Sequence, residues 1–271
     1  MLYLVATPIG NLGDITYRAV ETLQGCDEVW CEDTRQTAKL LNHLGIQKPL
    51  ISCHEYTQKE KAPQLVEKLR AGLDIAYVSD AGMPGISDPG TVLVQACIEA
   101  ELPYTVLPGP SAVLTAAVLS GLPLHRFIFF GFLPREGMAR KKALSDLGVC
   151  GCTAILYESP HRVKDTLNDV LTTVGDCPCA LVRELTKIHE SCLRGTISEV
   201  LSGLPEEVKG ECVLLFCVPK KAESAPTADE LDALLLSLMP HMSLKDAARE
   251  AADALKLPKK QVYARALELK E

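Results

Sequence analysis

Apolar residues run through this chain in short blocks of strand length, separated by longer stretches with helical spacing. The first block covers residues 2–6, and the next three cover 28–31, 49–53 and 75–79. Between them, over 15–24, 34–44 (with Thr34 expected as its cap) and 59–71, apolar side chains recur three and four positions apart. Each of these predicted helices ends on a glycine, Gly25, Gly45 or Gly72, the residue that most easily takes the left-handed closing conformation. A helix over 89–100, a strand over 104–107 and a helix from 111 to 120 complete the series. Such alternation predicts a mostly parallel sheet covered on both faces, because parallel neighbours need a crossover and the helices supply it.

Beyond Gly121 the pattern changes. Phe127, Phe129, Phe130 and Phe132 fall in one six-residue run. Strands are predicted at 154–157, 179–184, 190–194 and 211–218, with fewer helices between them, which reads as a mixed sheet. Ser159, with Pro160 in the first turn, predicts a helix to residue 173. Thr196-Ile197-Ser198-Glu199 is a capping box. Residues 220–226 are a polar linker, and Thr227-Ala228-Asp229-Glu230 opens the first of three helices starting near 228, 244 and 258. The predicted organisation is an α/β lobe over 1–118, a mixed α/β lobe over 119–219, and a linker with a small helical module over 220–271.

Composition narrows the class. Apolar residues make up 47% and charged residues 23% of the 271, so each lobe can bury a core. A net charge of −7 argues against coating nucleic acid through the overall field but permits a local basic patch. Eleven cysteines show no C-x-x-C pair and no zinc spacing, so the expectation is buried free thiols in a reducing cytoplasm and no metal site. The short apolar start lacks a basic leader and cleavage site, and no stretch approaches the ~18 apolar residues of a membrane span, so no membrane partner is expected.

Three loops at strand ends carry the candidate chemistry. Thr7-Pro8-Ile9-Gly10-Asn11-Leu12-Gly13 is neither a dinucleotide fingerprint nor a phosphate loop. Ser79-Asp80-Ala81-Gly82-Met83-Pro84-Gly85-Ile86-Ser87-Asp88-Pro89-Gly90 is rich in stiffening prolines and permissive glycines, a costly segment for a plain connector. Within it Asp88 is expected to cap the following helix, whereas Asp80 has no local role. Pro108-Gly109-Pro110-Ser111-Ala112 offers Ser111 as helix cap or ligand donor. Loops that follow strands of one parallel sheet share an edge and can converge. Two charged blocks, Tyr157-Glu158-Ser159-Pro160-His161-Arg162 and Arg183-Glu184-Leu185-Thr186-Lys187, follow second-lobe strands and read equally as surface ion pairs or as cleft walls. Arg135, Arg140, Lys141 and Lys142 form the densest basic cluster, and the C-terminal helices carry Lys256, Lys259, Lys260 and Arg265.

Taken in order, these loops and charged blocks, with Glu32-Asp33-Thr34-Arg35 and Gly131-Phe132-Leu133-Pro134, closely resemble the bacterial 16S ribosomal RNA cytidine 2′-O-methyltransferases of the tetrapyrrole methylase superfamily. The resemblance covers nearly the whole chain. It implies two αβα lobes with S-adenosylmethionine between them, a small helix-turn-helix-like module and a homodimer. It implies cofactor contacts from Pro8, Ile9, Asp80, Ala81, Gly82, Met83, Ser111, Ala112 and Tyr157. Met83 departs from the small polar residue usual there, which implies a backbone contact. The implied substrate is 16S ribosomal RNA or the 30S subunit, methylated on a cytidine ribose in the decoding region. By location Glu158, Glu184 and Lys187 are the candidates to activate that hydroxyl, with Lys187 needing a lowered pKa. Arg135, Arg140, Lys141, Lys142 and Arg162 are the candidates to hold RNA phosphate. Two alternatives remain at this point, a tetrapyrrole or other small-metabolite methylase, and a non-catalytic RNA-binding or ribosome-assembly protein.

Overall fold

Side chains of β1 (Leu2–Val5) alternate between two faces, and both faces are buried. The computed structural model describes residues 1–220, 227–255 and 257–270. The chain then runs through α1 (Tyr17–Gly25), β2 (Glu28–Cys31), α2 (Thr34–His43), β3 (Leu50–Ser52), α3 (Gln58–Arg70), β4 (Ile75–Val78), α4 (Thr91–Glu99) and β5 (Tyr104–Leu107). The five strands form one parallel sheet in the order β3-β2-β4-β1-β5. Ile75 and Tyr77 of β4 pack with Leu65 of α3 and Leu93 of α4 on one face. Ala76 and Val78 pack with Leu23 of α1 and Leu41 of α2 on the other. The period of two along the strand thus sorts the helices into two covering layers.

The second sheet is reached through α5 (Ala112–Ser120), followed by β6 (Phe127–Phe132), α6 (Gly137–Gly148), β7 (Thr153–Glu158), α7 (Val163–Val174), β8 (Pro178–Arg183), β9 (Ser191–Thr196), α8 (Ile197–Ser202) and β10 (Cys212–Cys217). Its order is β6-β7-β10-β8-β9, with β6 parallel to β7 and the remaining pairs antiparallel. Leu156, Leu214 and Phe216 face α6, α7 and α8, while Ile155, Val182 and Leu215 face Val113, Ala116 and Ala117 of α5. Ile9, from the loop after β1, is buried in this second core. Residues 1–219 form one compact unit.

The second compact unit, residues 220–271, holds α9 (Ala228–Leu238), α10 (Leu244–Leu255) and α11 (Lys259–Glu268). It has its own core of Leu231, Leu235, Ala248, Ala251, Val262 and Ala266. Capping boxes open α8 at Thr196 and α9 at Thr227. The expected linker residues 221–226, and Lys256, lie outside the described residues.

Several expectations about element ends need correction. Helix α2 is capped by Asp33, whose carboxylate accepts from Arg35 N, and Thr34 is its first helical residue. The segment after Ser159 begins as a 3₁₀ turn over Pro160–Arg162 before the α-helix, and Ser159 makes no side-chain cap bond. Asp88 does not cap α4. That helix starts after Gly90, whose φ of 140° is open to glycine alone and whose N–H donates to Gln58 Oε1 at 2.7 Å.

Candidate functional site

The three special loops meet at the C-terminal edge of the first sheet. Thr7 and Gly82 exchange two backbone hydrogen bonds of 2.9 Å, an antiparallel bridge that ties the loop after β1 to the loop after β4. Gly109, in the loop after β5, lies so close that a Cβ there would come within 2.8 Å of Ala6 Cβ. A side chain at that position would push the third loop off the first.

Between these loops and the second sheet lies a cavity of about 450 Å³. Ile9, Asp80, Ala81, Gly82, Met83, Ser111, Ala112 and Tyr157 all line it. Pro8 does not, although its neighbour does. Ser111 caps α5 by accepting from Leu114 N at 3.4 Å, so the first turn of that helix opens at the cavity. The Tyr157 hydroxyl meets the backbone amide of Val113, and its ring packs edge-on against Phe129 with centroids 4.9 Å apart. Burial, and then the nearby Asp88 carboxylate, push its pKa up to about 12.

Sequence reasoning missed part of the wall. Phe132, Leu185 and Val213 supply apolar surface, and Asp88 supplies a carboxyl group. Asp88 turns away from α4 because the loop doubles back, with Gly85 N donating to Pro89 O at 3.1 Å. Burial, then Glu32, push its pKa up to about 6. Asp80 and Glu32 are raised as well, each chiefly by burial, which leaves three partly desolvated carboxyl groups around one loop. A second cavity, of about 720 Å³, borders the same loop, and Ser87 and Asp88 belong to the walls of both.

Glu158 lies on the first cavity's wall but is 2% exposed, and its carboxylate is fully engaged. Oε1 accepts from Ser159 N at 2.9 Å and lies 3.5 Å from Arg162, while Oε2 accepts from Thr166 Oγ1 at 2.7 Å. Arg162 also donates to the carbonyls of Leu133 and Pro134. Arg140 donates to Pro134 O, to Asp169 and to Thr166 Oγ1. Both arginines therefore clamp the 133–134 turn to α7 and the end of β7, which is a structural use of residues expected to hold phosphate. Lys142 pairs with Asp146 one turn on, whereas Arg135 and Lys141 are exposed.

Glu184 and Lys187 are absent from the cavity lining and bond to each other at 2.9 Å. Glu184 Oε1 also accepts from Glu211 N, and Lys187 reaches Glu211 Oε2 at 3.0 Å. Burial alone would pull Lys187 down, but the two carboxylates outweigh it and hold its pKa above the ordinary lysine value. The lowered pKa expected of a lysine base is thus not found. Their turn is strained, with φ of 50° at Glu184 and 63° at Thr186. Gly10 packs directly on it. In the C-terminal unit Arg265 is paired with Asp232 and Glu268, Lys259 with Asp253, and Lys260 is exposed. Among the described residues no group of three or more His, Cys, Asp or Glu side chains is placed to hold a metal ion.

Comparison with known proteins places this architecture. The family model described as Tetrapyrrole (Corrin/Porphyrin) Methylases matches residues 1–201, and the RsmI C-terminal HTH domain matches 225–270. The ribosomal RNA small subunit methyltransferase I of Synechocystis sp. is 44% identical, covering 99% of this chain and 98% of that protein. Its namesake from Vibrio cholerae is 43% identical over 99% and 94%. Among solved structures, a diphthine synthase superposes with a TM-score of 0.63 at 15% identity, over 82% of this chain and 91% of that one. The uroporphyrin-III C-methyltransferase of Thermus thermophilus, complexed with S-adenyl homocysteine, superposes at 0.57 with 20% identity, over 79% and 96%. At those identities the likeness establishes the fold, two αβα lobes. Kinship at 42–44% over nearly full length establishes more: the chain belongs to the tetrapyrrole methylase family and, within it, to the ribosomal RNA small subunit methyltransferase I family.

Proposed function

We propose that the 450 Å³ cavity binds S-adenosylmethionine and that the chain methylates the 2′-hydroxyl of a cytidine in 16S ribosomal RNA, within the small-subunit decoding region. One observation carries the reading: three loops distant in sequence converge on a single cavity in a chain 44% identical over its length to a ribosomal RNA small subunit methyltransferase I.

The residues present fit the methyl donor. The volume lies in the range of small-molecule sites. Ile9, Leu185 and Val213 give an apolar side suited to a purine, and the N–H groups of Ala81 and Met83 flank Gly82, whose own backbone is committed to Thr7, and are open to a ligand. Asp80 and Asp88 provide negative charge beside a cationic ligand, and Ser111 with Ala112 brings a helix N-terminus toward a ligand carboxylate. When bound, S-adenosylmethionine supplies an electrophilic methyl group on a positive sulfur. The chain's own work is alignment and exclusion of water, which can supply several kcal/mol of the barrier. RNA phosphate would meet the exposed Arg135 and Lys141, a local patch on an acidic protein.

The reading extends to a homodimer in the cytoplasm. Tyr104 and Val106 on β5 and Leu114 and Val118 on α5 are exposed apolar side chains that a second copy would cover. Sedimentation of the purified chain tests the dimer. The activity is tested by offering 30S subunits lacking the modification, or uroporphyrinogen, together with labelled S-adenosylmethionine, and mapping the product by mass. Label in a cytidine ribose of 16S RNA is the expected result. Label in the tetrapyrrole, or no calorimetric binding of S-adenosylhomocysteine, would overturn it.

A further inference from the structure

The second cavity, of about 720 Å³, is walled in part by the turn between β3 and α3. That turn is tightly closed: Thr57 N donates to His54 O at 2.9 Å, and His54 N donates to Thr57 Oγ1 at 3.1 Å. Its tip carries Tyr56, which is 89% exposed and stands edge-on to His54 with ring centroids 6.2 Å apart. Beside it Gln58 opens α3 and is only 4% exposed. Gly90 N donates to Gln58 Oε1 at 2.7 Å. A backbone N–H can only donate, so the amide oxygen must face Gly90 and the NH2 group must face the other way. Among the described residues that NH2 group has no hydrogen-bond partner, yet it is not sealed in, so its donors open into the cavity that Gln58 lines. A buried amide fixed at its oxygen and unmet at its nitrogen leaves a donor for a ligand.

We propose that the second cavity is a base-reading pocket, in which Gln58 donates to the ring nitrogen N3 of the target cytosine, Glu32 accepts from its amino group, and Tyr56 stacks on its ring. The inference rests on the methyltransferase reading and adds to it the groups that select the nucleotide.

Position and chemistry both suit the task. Reading one nucleotide by its Watson–Crick edge requires it to be unpaired and turned out of the stack, into a seat of its own. The second cavity has room for a nucleoside, and Ser87 lines both it and the first cavity, so a base seated in one brings its ribose toward the other. Among the pyrimidines only cytosine offers an amino donor beside a ring-nitrogen acceptor, whereas uracil presents a carbonyl and an N–H in the reverse order. Glu32, just past the end of β2, lines the same cavity as Gln58 and as a carboxylate can only accept. The two side chains thus supply the acceptor and the donor that the cytosine edge requires. Tyr56 offers a π face on which any base can stack, which adds affinity without adding choice. Lys59, exposed in the first turn of α3 and on the wall of the same cavity, is placed for a flanking phosphate.

The test offers 30S subunits that carry either cytidine or uridine at the methylated position and compares kcat/KM for wild type, Gln58→Glu, Glu32→Gln and the double variant, with calorimetry of S-adenosylhomocysteine for each. Gln58→Glu keeps an oxygen for Gly90 N and turns the free donor into an acceptor, and Glu32→Gln adds a donor in exchange. Together they match the uracil edge at unchanged net charge. We expect wild type to prefer cytidine by about 10- to 100-fold, each single variant to lose about tenfold or more on cytidine, and the double variant to prefer uridine. Tyr56→Ala should raise the apparent KM for both subunits by about tenfold, and Tyr56→Phe should restore it. Every variant should bind S-adenosylhomocysteine as wild type does. A double variant that keeps the wild-type preference for cytidine overturns the proposal, and an unchanged KM in Tyr56→Ala overturns the stacking. A Gln58→Glu chain that no longer binds S-adenosylhomocysteine also overturns it, because Gln58 would then serve to hold the loop after β4. A wild-type chain that binds S-adenosylhomocysteine but methylates neither subunit sinks the functional reading instead.

Discussion

Lys187 Nζ lies 2.9 Å from Glu184 Oε1, and this ion pair closes a turn whose Glu184 and Thr186 both hold positive φ. The same Glu184 oxygen accepts from Glu211 N, so one carboxylate holds the turn shut and fastens it to the start of β10. Removing the acceptor should therefore cost more than removing the charge. Glu184→Ala is expected to lower stability by about 2 kcal/mol and Glu184→Gln by about half that, because glutamine keeps an oxygen for Glu211 N. Lys187→Ala should cost about 1 kcal/mol, a modest figure since both partners reach solvent. Urea midpoints with unchanged slopes would decide it. Equal losses in the two Glu184 variants would show that charge, not the acceptor, holds the turn.

Gly10 packs against that turn from the first lobe. A Cβ at this position would lie 2.6 Å from Lys187 Cγ, 2.7 Å from Leu185 O and 2.7 Å from Thr186 Oγ1. Backbone and buried side chain cannot both retreat, so Gly10→Ala should open the seam between the loop after β1 and the second sheet. A loss of about 2 kcal/mol in stability is expected, with weaker S-adenosylhomocysteine binding, because Ile9 and Leu185 both line the cavity. An alanine variant with normal melting and normal binding would mean that the seam is softer than its spacing implies.

Local pattern made much of this molecule readable. The strands at Glu28–Cys31 and Tyr104–Leu107 coincide with their apolar runs, because both sit in a sheet where period and burial agree. The strand Phe127–Phe132 gave no alternation to follow: it is an edge strand, half exposed, and bulged between Phe129 and Gly131. The loops that form the cavity were legible from glycine and proline content. Which of their side chains point inward was not. Asp88 looked like a cap because aspartate-proline commonly opens helices, yet the Gly85–Pro89 backbone bond turns it toward the cavity. Charge likewise said nothing about partners, so a clamp and a phosphate ligand looked alike at Arg140.

The basic cluster can be separated by experiment along those lines. Arg140 is nearly enclosed and holds Asp169, Thr166 and Pro134 O together. Arg140→Ala leaves a carboxylate and a carbonyl without their donor and should cost about 2–3 kcal/mol in stability. Arg135 and Lys141 are exposed, and their alanine variants should melt within about 0.5 kcal/mol of wild type. If they meet phosphate, each raises the apparent KM for 30S subunits and lowers the salt slope of binding by about 1. A neutral Arg140→Ala, or salt slopes unchanged in the other two, would overturn this division.

Asp88 makes a further prediction that needs no substrate. Its pKa in the folded chain, about 6, lies above the 3.8 of an unperturbed carboxyl group, so between those values the native state holds the proton more tightly than the unfolded state. Stability contributed by this site is then largest in acid and falls as pH rises through that window, reaching its full penalty above pH 6. Asparagine carries no charge to desolvate and can still bond Ser79. Asp88→Asn should therefore be more stable than wild type near neutral pH by about 1–2 kcal/mol, less than the ~3 kcal/mol of the raw shift because solvent reaches the site. The difference should vanish near pH 4. Denaturant midpoints at the two pH values measure it directly. A gain of the same size at both would trace the stabilisation to packing rather than to ionisation, and a loss at neutral pH would mean that the Asp88 carboxylate is welcome where it stands.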